Sequence, residues 1–251
     1  ILYWILISLG NIILIKRLRF IFVHIYDYSK TTTFADLFLN FFIKLSIKLL
    51  YFSPGILSEE AINKKNISWI IDPLDGTRSF INNYKGYVIQ VCRIKNKRVI
   101  QSIIIAPALR EYYSYIEGDK PRLNGYILKF KDTNNRKIRI IDNYPEPVGI
   151  TKYICNNLNN YEYIESGSIS LKALYVAIGR ADIFVKDVPI RDWDILPVMP
   201  FLMIRKIVIL KLNQEKYDID IVNFEKKGII VSTKGNLTIL KDIVNRYLKQ
   251  K

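Results

Sequence analysis

Nine consecutive residues carry more information about this chain than any other segment: Trp69-Ile70-Ile71-Asp72-Pro73-Leu74-Asp75-Gly76-Thr77. The apolar residues predict a buried strand over 68–71, which delivers Asp72 to its carboxyl end. Pro73 fixes the backbone dihedral that follows. Asp75 then stands just before a helix that is predicted to begin at Gly76 and Thr77. The segment therefore aims two carboxylates at one point.

This pair of carboxylates has the chemistry of a site for a hard divalent cation. Magnesium takes oxygen ligands in octahedral geometry, and two Asp plus the backbone carbonyl between them supply part of that shell. The free amides of Gly76 and Thr77 at a helix start favour a bound anion such as phosphate. An Asp-x-x-Asp pair by itself is also typical of a helix-capping turn, so other acidic segments have to decide between the two interpretations.

Two further acidic segments favour the cation site. Upstream, Ser58-Glu59-Glu60 closes an apolar run over 55–57 that is expected to end beside Asp72. Far downstream, Asp192-Trp193-Asp194 opens a predicted helix after a predicted strand over 181–186. Each segment alone has a structural explanation, as a solvated loop or as an N-cap with acids that compensate the helix dipole.

Together the three segments resemble the inositol monophosphatase-like family of magnesium-dependent, lithium-sensitive phosphatases. The family motif, apolar-x-Asp-Pro-(Ile/Leu)-Asp-Gly-Thr, is matched by 72–77, its Gly-Glu-Glu by 58–60 and its Trp-Asp by 193–194. A predicted meander of strands over 87–118 is also similar to the family. The resemblance implies a layered αβαβα sandwich of the sugar phosphatase type, with an α+β first half and an α/β second half.

The resemblance also implies the metal ligands. One magnesium would be held by Glu59, Asp72 and the Leu74 carbonyl, and a second by Asp72, Asp75 and Asp194. Two or more ions per site would then support two-metal hydrolysis without a covalent intermediate.

The same resemblance assigns the catalytic and substrate contacts. Thr77, paired with Asp36, would orient the attacking water together with Glu59. The amides of Gly76 and Thr77 would grip the phosphate. The full set of implied substrate contacts is Glu59, Leu74, Asp75, Gly76, Thr77, Lys172 and Asp194.

Within the family the chain is most similar to the CysQ-type 3'(2'),5'-bisphosphate nucleotidases. Arg78 follows the metal motif as it does there, and Gly167-Ser168-x-Ser170-Leu171-Lys172 precedes a Gly-Arg-Ala-Asp run at 179–182. The run Thr-Arg-Ser-Phe over 77–80 is similar to histidinol-phosphate phosphatases as well. The predicted substrate is 3'-phosphoadenosine 5'-phosphate, hydrolysed to AMP and phosphate, and the alternative is inositol 1-phosphate or another small phosphomonoester.

Lys172 is the predicted contact for a second phosphate of that substrate, as a point charge, and Arg191 is a further candidate. The alternative for Lys172 is a solvated residue on a helix.

Three departures from the family pattern leave a second hypothesis open, that of a catalytically degraded binding module with a nucleotide or RNA site. Residues 203–206 stand where the family has Glu-Ala-Gly-Gly, so a different corner is expected there. Bulky apolar and basic residues fill 16–31, where the family has a polar loop. Ser58 replaces a glycine.

Composition limits the classes of function that remain. Half of the 251 residues are apolar, and the net charge of +15 calls for an anionic partner without choosing among nucleic acid, membrane and phosphorylated substrate. Given the acidic motifs, we expect a small phosphorylated substrate and no nucleic acid. His24 is the only histidine, and Cys92 and Cys155 have no metal-ligand spacing, so catalysis should rest on carboxylates.

Organisation and location follow from two segments. The polar, proline-containing stretch 132–147 predicts a boundary between an N-terminal α+β subdomain, 1–140, that holds the metal motif and a C-terminal α/β subdomain, 141–251, that supplies Asp194. In the second subdomain the pattern predicts a helix over 170–178 that stops at Gly179, a helix over 193–203, and a final helix that Asn236 can cap. The apolar run 1–15 falls short of the roughly 20 residues that cross a bilayer, so a core helix is predicted. The alternative is peripheral association with the inner face of the membrane through 1–22, in an otherwise cytoplasmic protein. Monomer and dimer both remain open.

Overall fold

A computed structural model describes residues 1–15, 18–27, 31–51, 55–59, 61–62, 67–130, 137–217 and 225–250. The chain divides into two compact units, Ile1–Leu128 and Lys129–Lys251. A division at residue 140 would cut the strand Ile138–Asp142, which pairs with other strands of the second unit. Because this strand pairs within the second unit, the boundary lies before Ile138, and the compact units divide after Leu128. Part of the polar stretch 132–147 lies outside the described residues.

The first unit combines helices at its start with strands in its middle and end. Its elements are α1 (Leu2–Ile13), α2 (Arg19–Phe22), β1 (Ile25–Asp27), β2 (Thr32–Thr33), α3 (Phe34–Leu50), β3 (Gly55–Ser58), β4 (Ala61–Ile62), β5 (Ile67–Asp75), α4 (Thr77–Ile81), β6 (Val88–Lys95), β7 (Arg98–Ala106), β8 (Glu111–Ile116), β9 (Arg122–Leu123) and β10 (Tyr126–Ile127). The strand predicted over 68–71 thus continues to Asp75, which lies in the strand and not at the helix start.

The sheet of this unit runs β10-β9-β8-β7-β6-β5-β3-β4 among the described strands. Neighbours are antiparallel except β3 and β5, which are parallel. The predicted meander is confirmed in β6, β7 and β8. Asn96 and Lys97 connect β6 to β7 with positive φ angles of 50° and 58°, as a two-residue hairpin turn with right-handed strand twist requires.

Helices α1 and α3 cover one face of this sheet. Leu39, Ile43 and Ile47 of α3 recur at helical spacing and are fully buried against the strands and α1. Gly10 of α1 lets the helix approach closely, since a Cβ there would lie 3.2 Å from the Cβ of Pro107. The prediction of a core helix in the N-terminal apolar run is confirmed. No helix among the described residues is long and apolar enough to cross a membrane.

The second unit alternates strands and helices. Its elements are β11 (Ile138–Asp142), α5 (Gly149–Asn156), β12 (Tyr161–Glu165), α6 (Ile169–Ala177), β13 (Ile183–Arg191), α7 (Asp192–Ile195), α8 (Met199–Ile204), β14 (Val208–Lys211), β15 (Glu225–Ser232) and α9 (Leu237–Leu248). The described strands run in the order β12-β11-β13-β15-β14, with the first three parallel and the last two pairs antiparallel.

Alternate residues of the central strand β13 face different helices. Ile183 and Val185 pack in a core with α5 and α9. Phe184 points the other way, and the ammonium of Lys172 on α6 lies 5.7 Å from its ring centroid. Helices therefore cover both faces of this sheet, as its parallel pairs require.

Two sequence predictions for this unit are wrong. The single helix predicted over 193–203 is divided into α7 and α8, because Pro197 between them has no N–H to donate. Asn236 occupies the N-cap position of α9, but its side chain accepts no capping hydrogen bond, and its Nδ2 donates to Thr233 Oγ1 at 3.0 Å. The predicted stop of α6 at Gly179 is confirmed, with a left-handed φ of 77°.

The corner that replaces the family's glycine pair is formed by a lysine. Lys206 takes a φ of 54°, and the amide of Ile207 donates to the Leu202 carbonyl at 3.0 Å. This six-to-one bond closes the end of α8 as in a Schellman motif. The turn therefore forms without glycine. Its steric cost is that Lys206, which has a Cβ, adopts a left-handed backbone conformation.

A buried ion pair ties β11 to the segment before β13. Arg139 donates from Nε to Asp182 Oδ2 at 3.1 Å and from Nη2 to Oδ1 at 3.0 Å, and its Nη1 reaches the Gly179 carbonyl at 2.9 Å. The backbone N–H of Arg139 also donates to Asp182, at 2.9 Å. Asp182 thus binds both the side chain and the backbone N–H of Arg139 on β11.

We expect Arg139→Leu to lower the free energy of unfolding by about 3 kcal/mol, because it leaves the Asp182 carboxylate buried without its cation. Denaturant unfolding of the purified chain measures the change. The matched control is Arg98→Leu, which breaks an exposed pair with Glu117 and should cost no more than about 0.5 kcal/mol. Equal losses in the two variants would contradict the assignment.

Candidate active site

A bulge in β5 places Asp72 and Asp75 on the same side of the strand. Asp72 pairs with Gln90 and Asp75 with Val88, so three steps along β5 oppose two along β6. In a regular strand residues three apart point to opposite faces, and the extra residue reverses that relation. Carboxylate oxygens of the two Asp lie within 4.8 Å of each other, and both side chains are buried. The predicted convergence of the pair is present.

Two hydrogen bonds hold the Asp72 carboxylate in place. The amide of Leu74 donates to Oδ1 at 3.1 Å, and Gln90 Nε2 donates to Oδ2 at 3.3 Å. Gln90 is fully buried on β6 and faces the same side of the sheet as Asp72. Sequence reasoning missed Gln90, although a polar side chain in the otherwise apolar run 87–92 was a usable signal.

The donor set of this pair fits magnesium. Two buried carboxylates supply hard oxygen ligands, and the fixed orientation of Asp72 leaves lone pairs for a cation. The Leu74 carbonyl lies between the two Asp in the bulge and accepts a hydrogen bond from Thr77 Oγ1 at 2.9 Å. Oxygen donors with no nitrogen or sulfur favour magnesium, calcium or manganese over zinc.

Thr77 and Asp36 are in contact, as the resemblance implies. Thr77 Oγ1 lies 3.2 Å from Asp36 Oδ1, although the two residues are 41 positions apart. Asp36 is the third residue of α3, and its Oδ2 accepts hydrogen bonds from the amide and the hydroxyl of Thr33, at 2.7 and 2.5 Å. A capping box at the start of α3 therefore also presents a carboxylate oxygen to Thr77.

Burial raises the pKa of Asp36 above its ordinary value, and the hydrogen bonds from Thr33 and Thr77 oppose that rise without cancelling it. The ionised carboxylate is therefore costly in the fold and is a better proton acceptor than an exposed aspartate.

Glu59 follows the last residue of β3. Its amide donates to the Ile71 carbonyl at 3.3 Å, so its backbone stands at the carboxyl end of β3, next to the end of the parallel part of β5. The side chain is exposed. Ser58, which replaces the family's glycine, is buried and donates to Asn40 Oδ1 at 2.7 Å. Glu60 lies outside the described residues.

Gly76 adopts the conformation that the motif requires. Its φ of 91° is left-handed, and it directly precedes α4, whose first residue is Thr77. A side chain at this position would be strained. The predicted phosphate contact of the Gly76 and Thr77 amides remains a prediction.

Asp194 lies in the first turn of α7, in the second unit. It is buried, its Oδ2 accepts from the backbone N–H of Arg191 at 2.8 Å, and Ser170 Oγ donates to its backbone carbonyl. Helix α6 therefore fixes the Trp-Asp segment. The guanidinium of Arg191 lies 5.5 Å from the ring centroid of Trp193. The role of Asp194 as a metal ligand remains a prediction.

Lys172 is not a solvated residue. It is almost fully buried, and its Nζ donates to Asn143 Oδ1 and lies 3.6 Å from Asp142 Oδ1. Lys186 binds the same Asp142 oxygen. The alternative of a solvated helix residue is wrong, because the apolar face of α6 carries Lys172 into the unit. A substrate phosphate would therefore have to bind the same ammonium that already contacts Asn143 and Asp142.

Comparisons with known proteins identify the family. The family model described as the inositol monophosphatase family matches residues 23–200. The chain belongs to the inositol monophosphatase family. Members of this family are magnesium-dependent phosphatases, so the chain is assigned to the phosphoric ester hydrolases at the family level.

Individual relatives carry different names. Nus factor SuhB of Buchnera aphidicola subsp. Baizongia pistaciae is 30% identical over 192 residues, 64% of this chain and 69% of that protein. The 3'(2'),5'-bisphosphate nucleotidase CysQ of Haemophilus influenzae is 29% identical over 184 residues, 68% of each. The solved structure of a Thermotoga maritima IMPase superposes with a TM-score of 0.82 at 23% identity, over 99% of this chain and 96% of that one. The predicted fold is confirmed.

We expect Gln90→Leu to weaken magnesium binding about tenfold or more, because Asp72 loses the donor that orients its Oδ2. Calorimetric titration of the substrate-free protein with magnesium measures the change. The matched control is Gln101→Leu, a half-buried glutamine on β7 that pairs with Arg93, and its magnesium affinity should match that of the unsubstituted chain. A Gln90 variant with unchanged affinity would contradict this role.

We expect the melting temperature of Asp36→Asn, relative to the unsubstituted chain, to rise as pH increases. The raised pKa of Asp36 means that the folded state retains its proton to higher pH than the unfolded state does. The unsubstituted chain therefore loses stability as pH rises through the folded-state pKa of Asp36, because the carboxyl gives up its proton there. The asparagine variant has no proton to lose, so its stability does not change over this range. Calorimetric scans from acid to neutral pH test this, and a difference that falls with pH would contradict it.

Proposed function

We propose that this chain is a magnesium-dependent phosphomonoesterase that hydrolyses 3'-phosphoadenosine 5'-phosphate to AMP and phosphate. The observation that carries the proposal is the buried pair Asp72 and Asp75, brought to one side of β5 by the bulge. The family supplies the reaction class. The hydrogen bond between Thr77 and Asp36 supplies a path for a proton.

The proposed ligands of a first magnesium are Glu59, Asp72 and the Leu74 carbonyl, and those of a second are Asp72, Asp75 and Asp194. When bound, the ions lower the pKa of a water molecule and neutralise charge on the leaving oxygen. Protein donors hold both carboxylate oxygens of Asp72 in place.

The residues of the chain handle the water and its proton. Glu59 and the Thr77 hydroxyl orient the water. The Thr77 hydroxyl hydrogen can turn from the Leu74 carbonyl to Asp36 Oδ1. Thr77 Oγ1 then accepts the proton of the water as its own hydrogen passes to Asp36, whose raised pKa suits it to receive one. The amides of Gly76 and Thr77 hold the phosphate oxygens. Attack in line with the scissile bond then releases inorganic phosphate and the alcohol, whose leaving oxygen takes its proton from solvent water.

The choice of a bisphosphorylated nucleotide rests on two observations. The chain is similar to the CysQ of Haemophilus influenzae, and it has the Gly-Ser-x-Ser-Leu-Lys run over 167–172. In that run Ser168 caps α6 by accepting from the Leu171 amide at 2.9 Å, and Lys172 holds Asn143. We propose that Lys172 contributes to substrate binding through this buried network, with Arg191 as a second cation.

Two other functions have some support. The similarity to Nus factor SuhB of Buchnera aphidicola favours a binding module, which would show no turnover and would bind nucleic acid in a strongly salt-dependent way. The Thermotoga maritima IMPase favours inositol 1-phosphate as substrate. The intact carboxylates Glu59, Asp72, Asp75 and Asp194 favour an enzyme. We propose a cytoplasmic location with no nucleic-acid partner, and monomer and dimer remain alternatives.

A phosphate-release panel with 3'-phosphoadenosine 5'-phosphate and inositol 1-phosphate tests the proposal. We expect magnesium-dependent, lithium-inhibited release, faster from the nucleotide. Asp72→Asn should remove turnover and keep the melting temperature of a folded protein, whereas Asp119→Asn, an exposed turn carboxylate, should leave turnover unchanged. Preference for inositol 1-phosphate would assign that substrate, and turnover retained in Asp72→Asn would refute the metal site.

A further inference from the structure

Helix α7, which carries Asp194, is too short to fix its own position. It has four residues, Asp192–Ile195, and Pro197 separates it from α8. A helix of this length is marginal in water, because forming the first turn fixes several residues for one hydrogen bond. The direction of the Asp194 side chain therefore depends on contacts between α7 and other elements of the second unit.

One such contact is made by Asp192, the first residue of α7. Asp192 is fully buried, and the Tyr217 hydroxyl donates to its Oδ1 at 2.8 Å. Tyr217 is itself only 5% exposed, so solvent does not compete strongly for this hydrogen bond. Because a buried carboxyl group without a donor is costly, the Tyr217 hydroxyl stabilises the position of Asp192.

Tyr217 reaches α7 from the turn that follows β14. Leu210 and Lys216 pair in an antiparallel bridge across this turn, and the amide of Lys211 donates to the Glu215 carbonyl at 2.9 Å. Strand β14 pairs with β15, and β15 pairs with β13. The Tyr217 hydroxyl therefore connects the start of α7 to the edge of the same sheet whose central strand leads into α7.

Asp194 is held from a different element. Ser170 Oγ on α6 donates to its backbone carbonyl, and the amide of Arg191 donates to its Oδ2 at 2.8 Å. Residues two apart on a helix point about 200° apart around its axis, so Asp192 and Asp194 leave α7 on opposite sides. A rotation of α7 that redirected Asp194 would also break the hydrogen bond between Asp192 and Tyr217.

We propose that Tyr217 is a positioning residue for the second magnesium. Through Asp192 it sets the rotation of α7, and hence the direction of the Asp194 carboxylate. This role rests on the proposed function, in which Asp194 is a ligand of that ion. A ligand held in its binding orientation binds more tightly, because little ordering remains to be done when the ion arrives. Tyr217 acts through the helix and takes no part in the chemical step.

Calorimetric titration of the substrate-free, full 251-residue chain with magnesium tests this role. We expect Tyr217→Phe, which removes only the hydroxyl, to weaken magnesium binding about tenfold. The matched control is Tyr247→Phe, which removes a hydroxyl that donates to Asp187 Oδ2 at 2.6 Å in the same unit. The control also loses a hydrogen bond to a carboxylate, so its melting temperature should fall comparably, yet its magnesium affinity should match that of the unsubstituted chain. Unchanged affinity in Tyr217→Phe, or an equal loss in both variants, overturns the role.

A double-mutant cycle separates this role from the proposed function on which it rests. Asp194→Asn should weaken magnesium binding by itself, and adding Tyr217→Phe should then cause no further loss, because the ligand through which Tyr217 acts is gone. Circular dichroism verifies that each variant is folded. A tenfold further loss in the Asp194→Asn background overturns the role of Tyr217 and leaves the metal site standing. Magnesium binding that Asp194→Asn does not change refutes Asp194 as a ligand, and the role of Tyr217 with it.

Discussion

The bulge in β5 is the constraint on which the rest of the candidate site depends. Asp72 and Asp75 are three residues apart, and in a regular strand such residues face opposite sides of the sheet. The extra residue opposite β6 turns both carboxylates to one side. Pro73 suits this irregular point because it has no N–H to offer to a ladder. Without the bulge, one carboxylate would enter the apolar layer that α1 and α3 cover.

Burying acids in this way has a cost that the chain offsets locally. Asp72 receives donors from Leu74 and Gln90, and Asp36 receives them from Thr33 and Thr77. In the second unit Asp182 is paired with Arg139, and Asp142 with Lys186. Each of these four buried carboxylates thus has partners from its own unit, as the high cost of an isolated buried charge demands.

Local signals in the sequence predicted the elements that make regular contacts. The meander β6, β7 and β8 and the N-terminal core helix follow from apolar periodicity and turn residues, which act over a few neighbours. Errors occurred where a single residue decided the outcome, such as Pro197 between α7 and α8 or Asn236 before α9. Gln90 was missed because its role depends on the partner strand, which periodicity does not reveal. The left-handed Lys206 was missed because lysine carries no signal for that conformation.

The sequence by itself determined the family and the identity of the reactive side chains, because the Asp-Pro-Leu-Asp-Gly-Thr run can be recognised without knowing what surrounds it. Tertiary structure alone decided which atoms hold those side chains. Asp36 meets Thr77 across 41 positions only because α3 packs on the sheet, and Gln90 meets Asp72 only through the register of β5 and β6. The environment of Lys172 was likewise decided by tertiary structure, although the sequence singled out this lysine as a candidate phosphate contact. Its burial beside Asp142 arises from the packing of α6 on the second sheet, and packing over long separations is not encoded in any local pattern.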